Sequence, residues 1–188
     1  MSRDFAEAAR LFGQSAAQGQ ANAQCYLGRL YFEGKGVALD FAEAARMFGL
    51  AAAQGHAAAQ YNLGVLYDQG KGVSQDFAEA ARLYGLAAAQ GHAAAQCNLG
   101  LLYSQGMGVP RDFAEAARLH RLAAAQGYGE ARKALAALSS ERAYVSVCCM
   151  GCGSTRKLKT CKRRLVLGPR APLALCAAKA RHVALCTS

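Results

Sequence analysis

Asp76-Phe77-Ala78-Glu79-Ala80-Ala81-Arg82 is the third of four copies of one heptapeptide, which begins at Asp4, Asp40, Asp76 and Asp112, a constant spacing of 36 residues. A fixed period between about 20 and 50 residues marks a stacked-repeat architecture, in which each unit buries its apolar face only against its neighbours. Reading outward from Asp76, the chain continues Leu83-Tyr84-Gly85-Leu86-Ala87-Ala88-Ala89-Gln90-Gly91. Asp76 is placed to accept the first free backbone N–H groups of a helix, Glu79 three residues on predicts a reciprocal capping box, and Gly91 supplies the left-handed residue that stops it. This is helix B. Ala93 to Gly106 again carries apolar residues at helical spacing and closes on glycine, which makes helix A. The link Met107-Gly108-Val109-Pro110-Arg111 interrupts both helices yet is short enough to fold them back antiparallel.

The segments 40–75 and 76–111 differ at only eight of 36 positions, so the units can be compared with one another. Gly64 and Gly100 recur in mid-helix, where glycine costs about 1 kcal/mol relative to alanine; a close helix crossing accounts for them. Along helix A the varied positions are Cys25, Tyr61 and Cys97; Arg29, Val65 and Leu101; Phe32, Asp68 and Ser104; and Glu33, Gln69 and Gln105. Offsets of four, seven and eight residues place them on one helical face. Asn22 and Tyr26 also vary in the looser first unit. Two readings follow: drift on a solvated surface, or a concave groove whose side chains select a protein or peptide partner.

The string Ala59-Gln60-Tyr61-Asn62-Leu63-Gly64-Val65-Leu66-Tyr67-Asp68-Gln69-Gly70-Lys71-Gly72-Val73, with the Asp-Phe-Ala-Glu-Ala-Ala-Arg and Ala-Ala-Ala-Gln-Gly segments, resembles Sel-one-like repeats, longer-looped relatives of the tetratricopeptide repeat. The resemblance covers residues 4 to about 138. It implies an all-α, right-handed superhelical solenoid of antiparallel helix pairs, with helix A on the concave side, and an adaptor role in protein complexes. The expected solenoid occupies 1–138: a half repeat 4–19, full repeats 20–55, 56–91 and 92–127, and a partial cap 128–138. Beginning on a helix B leaves Phe5, Ala8 and Phe12 as an expected open edge, covered by a longer natural chain or by a partner.

From Ser139 onward the composition changes. Residues 139–188 hold ten Lys or Arg against Glu141 alone, nine of the chain's ten net positive charges, so the basic balance belongs to this mostly irregular tail rather than to the repeats. Arg156 to Arg164 reads either as a solvated run or as a nuclear-import or polyanion contact, and nucleic acid is expected, if anywhere, there. The tail also carries six of the eight cysteines. Cys149-Met150-Gly151-Cys152 has the spacing by which two thiolates reach one tetrahedral Zn2+, and His182-x3-Cys186 that of another ligand pair. Cys161 and Cys176 lie between them. Together they resemble a degenerate or incomplete MYND-type zinc finger spanning 149–186, with Arg164 where that family places a second cysteine.

No catalytic constellation emerges. His56 and His92 recur in step just after the helix B glycine, as loop or start-of-helix residues, and His120 takes the helix B position of Phe12, Phe48 and Tyr84. No phosphate-cradling loop is present, since Gly70-Lys71-Gly72 belongs to the interhelix link. Cys25 and Cys97 stand two units apart, too far for one disulfide, and read as free thiols. With no apolar leader after Met1 and no apolar run of about 18 residues, the expected setting is a reducing interior, cytosol or nucleus, without membrane. The expected function is that of a non-enzymatic adaptor binding a protein or peptide on the helix A face; the alternative is a zinc-dependent recognition protein that binds through the tail.

Overall fold

A computed structural model describes residues 5–138. All regular structure among them is helical: α1 (Phe5–Ala17), α2 (Ala21–Glu33), α3 (Phe41–Ala53), α4 (Ala57–Gln69), α5 (Phe77–Ala89), α6 (Ala93–Gln105) and α7 (Phe113–Ala125). A further helical stretch, α8, covers 129–138. The odd-numbered helices are the B helices and the even-numbered ones the A helices. Each packs on its neighbours in sequence, most extensively where an A helix meets the following B helix. The repeat solenoid expected from the sequence is therefore the architecture found.

The helix starts differ from the expected capping box. Asp76 accepts the N–H groups of Ala78 at 2.9 Å and Glu79 at 3.0 Å, and Asp40 and Asp112 do the same in their units. The reciprocal half is replaced: the Asp76 N–H donates to the Tyr67 carbonyl at 3.0 Å, in the last turn of α4. Glu79 is thereby released and forks onto Arg82 at 2.6 Å. Glu43 and Arg46, and Glu115 and Arg118, repeat that exposed i,i+3 pair, and each guanidinium holds its carboxyl below the usual carboxylate range. Exposed pairs of this kind contribute little to stability. Joining one helix start to the preceding helix end through a backbone hydrogen bond is the more consequential part.

The loop glycines answer to a second constraint. Gly72, at φ 69°, lies so close to the start of α3 that a Cβ would fall within 2.3 Å of the Phe41 carbonyl carbon. Gly36 and Gly108 sit in the same way on Phe5 and Phe77. The link between helices A and B thus folds over the first turn of the preceding B helix, which only a residue without a side chain permits.

Inside each unit, where helix A meets the following helix B, the core is a ring laid against a helix. Phe48, Tyr84 and His120 are almost fully buried, beneath Gly28, Gly64 and Gly100 respectively. A Cβ on any of these glycines would lie 2.8 Å from the facing ring. Ala44, Ala51, Ala80, Ala87, Ala116 and Ala123, all fully buried, let the helices approach this closely.

A polar ladder runs beside that core. Gln60 is buried, donates to the Ala52 carbonyl at 3.3 Å and accepts from Gln90 at 2.8 Å. Gln24 with Gln54, and Gln96 with Gln126, repeat the arrangement. Every buried glutamine amide thus ties the end of the preceding B helix to the end of the next, satisfying groups that would be costly to bury unpaired.

Gly100→Ala should destabilise the fold by about 1–3 kcal/mol through overpacking against His120, despite the better helix propensity of alanine. Gly85, in α5 with nothing near its absent Cβ, should respond oppositely, Gly85→Ala adding about 0.5–1 kcal/mol. Urea unfolding followed by circular dichroism checks both signs.

Candidate functional site

A solvent-open cavity of about 400 Å³ lies on the A-helix side, between the first two units. Asn22, Cys25, Tyr26 and Arg29 of α2 form one wall; Ala58, Tyr61 and Asn62 of α4 form the other. His56 and His92, the residues preceding α4 and α6, complete it.

Both histidines are fixed by the helices they start. His56 accepts the Ala59 N–H through Nδ1 at 3.2 Å, and its Nε2 lies 2.9 Å from the Asn22 Oδ1. His92 caps α6 in the same way, through Ala95, while its ring stacks on Tyr61 at 4.7 Å between centroids. Tyr61 also tilts against the buried Tyr84 ring at 5.8 Å. Burial pushes the Tyr61 phenol up, so it is neutral at physiological pH. Tyr26, 52% exposed, stacks on Phe12 of α1 at 5.3 Å. The Arg29 guanidinium is half exposed, 3.6 Å from Glu33, and lies near the Tyr26 ring.

Of the residues expected on this face, Cys25, Arg29 and Tyr61 meet at the cavity. Cys25 and Cys97 are only 5% and 3% exposed, so they contribute shape more than contact. Both are free, and burial raises both thiols above their ordinary pKa. Phe32 turns into the packing instead, edge-on to Phe41 at 5.5 Å. Asp68 accepts a long hydrogen bond from the Tyr84 hydroxyl at 3.4 Å, and Ser104 donates to the Leu101 carbonyl at 2.8 Å. Glu33 is held by Lys35 at 2.7 Å. Val65 is half-buried, while Leu101, Gln69 and Gln105 are exposed. The face is therefore part packing and part open surface.

Sequence reasoning treated His56 and His92 as structural, which their capping bonds make them, but their rings also line the cavity. Asn22, Tyr26 and Asn62 were missed as liners. The signal lay in the first unit, where Asn22 and Tyr26 replace the alanine and asparagine found later. The candidate metal ligands Cys149, Cys152, Cys161, Cys176, His182 and Cys186 lie outside the described residues. Among the described residues no three His, Cys, Asp or Glu side chains cluster as a metal site would require, and no helix is long and apolar enough to cross a membrane.

The Sel1 repeat family matches four consecutive segments, residues 1–20, 21–56, 57–92 and 93–128. Among solved structures, the chain is similar to a protective antigen of uropathogenic Escherichia coli strains that displays an SLR fold. The identity is 44% and the TM-score 0.61, over 63% of this chain and 26% of the antigen. It is similar to a Sel1 repeat protein from Oxalobacter formigenes at 38% identity and a TM-score of 0.61, over 64% and 49% of the two chains. Helicobacter pylori cysteine rich protein B shares the fold at 19% identity and a TM-score of 0.54, over 68% and 96%. The chain thus spans about a quarter and a half of the first two relatives. No curated protein matches it.

His92 and His120 have pKa values lowered by burial. Because the unfolded chain protonates them first, their neutral forms contribute stability that is complete above about pH 6.5 and lost as pH falls from there through the depressed folded values. Among the described residues neither ring nitrogen of His120 has a hydrogen-bond partner. His120→Phe, copying Phe48, should therefore raise stability by about 1–3 kcal/mol at neutral pH and shrink the loss between about pH 7 and 5. Thermal unfolding across that range checks the slope.

Proposed function

The chain belongs to the Sel1 repeat family, and from that premise we propose that it is a non-enzymatic scaffold that binds a protein or peptide partner on its A-helix face. Stacked helical repeats offer continuous surfaces suited to such partners. One observation supports placing the site: the open cavity is lined by Arg29, Tyr26 and Tyr61, positions that differ between units whose packing residues are nearly identical. Residues free of the packing constraint are those available for selectivity. Aromatic rings and an arginine are also the side chains that dominate binding energy at protein interfaces. The free, buried Cys25 and Cys97 suit a reducing compartment, cytosol or nucleus.

Cys25→Tyr places at the first unit the ring that the second carries at Tyr61 and fills the cavity. This variant, and Arg29→Ala with Tyr61→Ala, should each abolish capture of partners while the helical circular dichroism stays intact. Binding that persists in both would refute the placement of the site.

The alternative places recognition in the tail, as an incomplete MYND-type finger. Its support is the spacing of Cys149 with Cys152 and of His182 with Cys186, and the ligand in question is Zn2+. Metal analysis of the purified full chain decides it. About one zinc per chain, lost in Cys149→Ser with Cys152→Ser, would favour the tail; less than about 0.2 would remove it, because a finger that folds on its metal holds it tightly.

A further inference from the structure

Within that scaffold reading, on which the following rests, we infer that the cavity takes an acidic side chain from an extended segment of the partner, with apolar side chains further along that segment seated on Val65 and Leu101. Charge complementarity carries the first half. Among the described residues Arg29 is the one charged side chain lining the cavity, and no carboxylate lines it. The nearest acid, Glu33, stands 3.6 Å from Arg29 but 2.7 Å from Lys35. Lys35 thus largely neutralises Glu33 and leaves the Arg29 fork with donors to spare. A guanidinium with free donors is the group suited to a two-pronged grip on a carboxylate.

The amides of Asn22 and Asn62 stand on opposite walls. Asn62 offers both a donor and an acceptor, while Asn22, whose Oδ1 takes the His56 Nε2–H at 2.9 Å, offers its N–H donors, so that donors for backbone carbonyls stand on both sides of the anchored residue. Tyr26 and Tyr61 supply apolar ring surface for the methylene groups of the acidic side chain.

The repeat supplies the second half. The position of Arg29 in α2 is taken by Val65 in α4 and Leu101 in α6, and Leu101 is 39% exposed. Successive A helices stand on the order of 10 Å apart, which is roughly three residues of extended chain. The row therefore reads acid, apolar, apolar at intervals of about three residues. Asp68, one turn from Val65, disfavours a second acid there and so fixes the register.

Selection from a library of random peptides of about twelve residues, against the full chain and its Arg29→Gln and Arg29→Glu variants, tests this. Arg29 is exposed, so neither variant should disturb the fold, which circular dichroism verifies. The wild-type pool should be enriched in Asp or Glu followed or preceded at about three residues by an aliphatic residue. A peptide from that pool should lose at least about tenfold in affinity when its acid becomes the amide. Arg29→Gln should abolish that preference, and Arg29→Glu should turn it toward Lys and Arg. Basic or uncharged enrichment in the wild-type pool, or acidic enrichment unchanged in Arg29→Gln, overturns the inference while leaving a peptide groove in place. Pools that are the same for the wild type and for Cys25→Tyr overturn the groove as well.

Discussion

In each unit the helix A backbone is pressed onto a ring from the following helix B, with Gly28 against Phe48, Gly64 against Tyr84 and Gly100 against His120. No Cβ fits at these crossings, and the alanines opposite are fully buried. This contact fixes how near consecutive helices stand, and hence where every other group of the repeat falls. The glutamine ladder depends on it: Gln60 reaches both Ala52 and Gln90 only because the three helices meet at that spacing. So does the hydrogen bond from the Asp76 N–H to Tyr67, which joins a helix start to the preceding helix end. A unit removed from its neighbours would keep the ring contact and the Asp76 bond, which lie inside it, but would lose the Gln60 bond to Ala52 and the packing of each helix B on the next helix A, which is why such stacks gain stability from their interfaces as well as from the repeats themselves.

The same constraint decides what is left for recognition. The glycines and alanines of the crossing keep one identity from unit to unit and the ring position keeps only its approximate shape, while positions of helix A outside the crossing are released from it. Arg29, Val65 and Leu101 show the consequence: three chemistries at one place in the repeat, with no change in the fold around them. His120 shows the limit of that tolerance. It fills the ring position sterically but brings two nitrogens that find no partner among the described residues, a polar cost that Phe48 does not carry.

Much of the fold was legible because it is written four times. The period, the aspartate caps, the terminating glycines and the crossing glycines are each local signals, and repetition separates them from coincidence. The capping box misled because a sequence pattern cannot show that the Asp76 N–H is already committed to Tyr67, which turns Glu79 outward to Arg82. The site was less legible. Helical periodicity correctly grouped Arg29 with Tyr61 but also counted Phe32, whose ring packs on Phe41. His56 and His92 were legible as start-of-helix residues but not as cavity liners, because one side chain can both cap a helix and line a cavity, and periodicity within a helix does not reach a residue just before it.

Why the cavity lies between the first two units follows from two positions that share one volume. Between the second and third units Tyr61 projects from helix A and stacks on His92, the residue before the next A helix, so one large ring occupies the gap. One unit further, helix A carries the small Cys97, and the residue corresponding to His92 is Tyr128, which packs against the cluster holding Cys97. There the large ring comes from the other side of the same gap. Between the first and second units neither position is large: Cys25 stands in helix A and His56 precedes the next one, drawn toward Asn22. The volume a tyrosine fills elsewhere is left to solvent, beside Arg29. A binding site has thus been opened in a repetitive stack by leaving one interchangeable ring out, without altering any contact on which the stack depends.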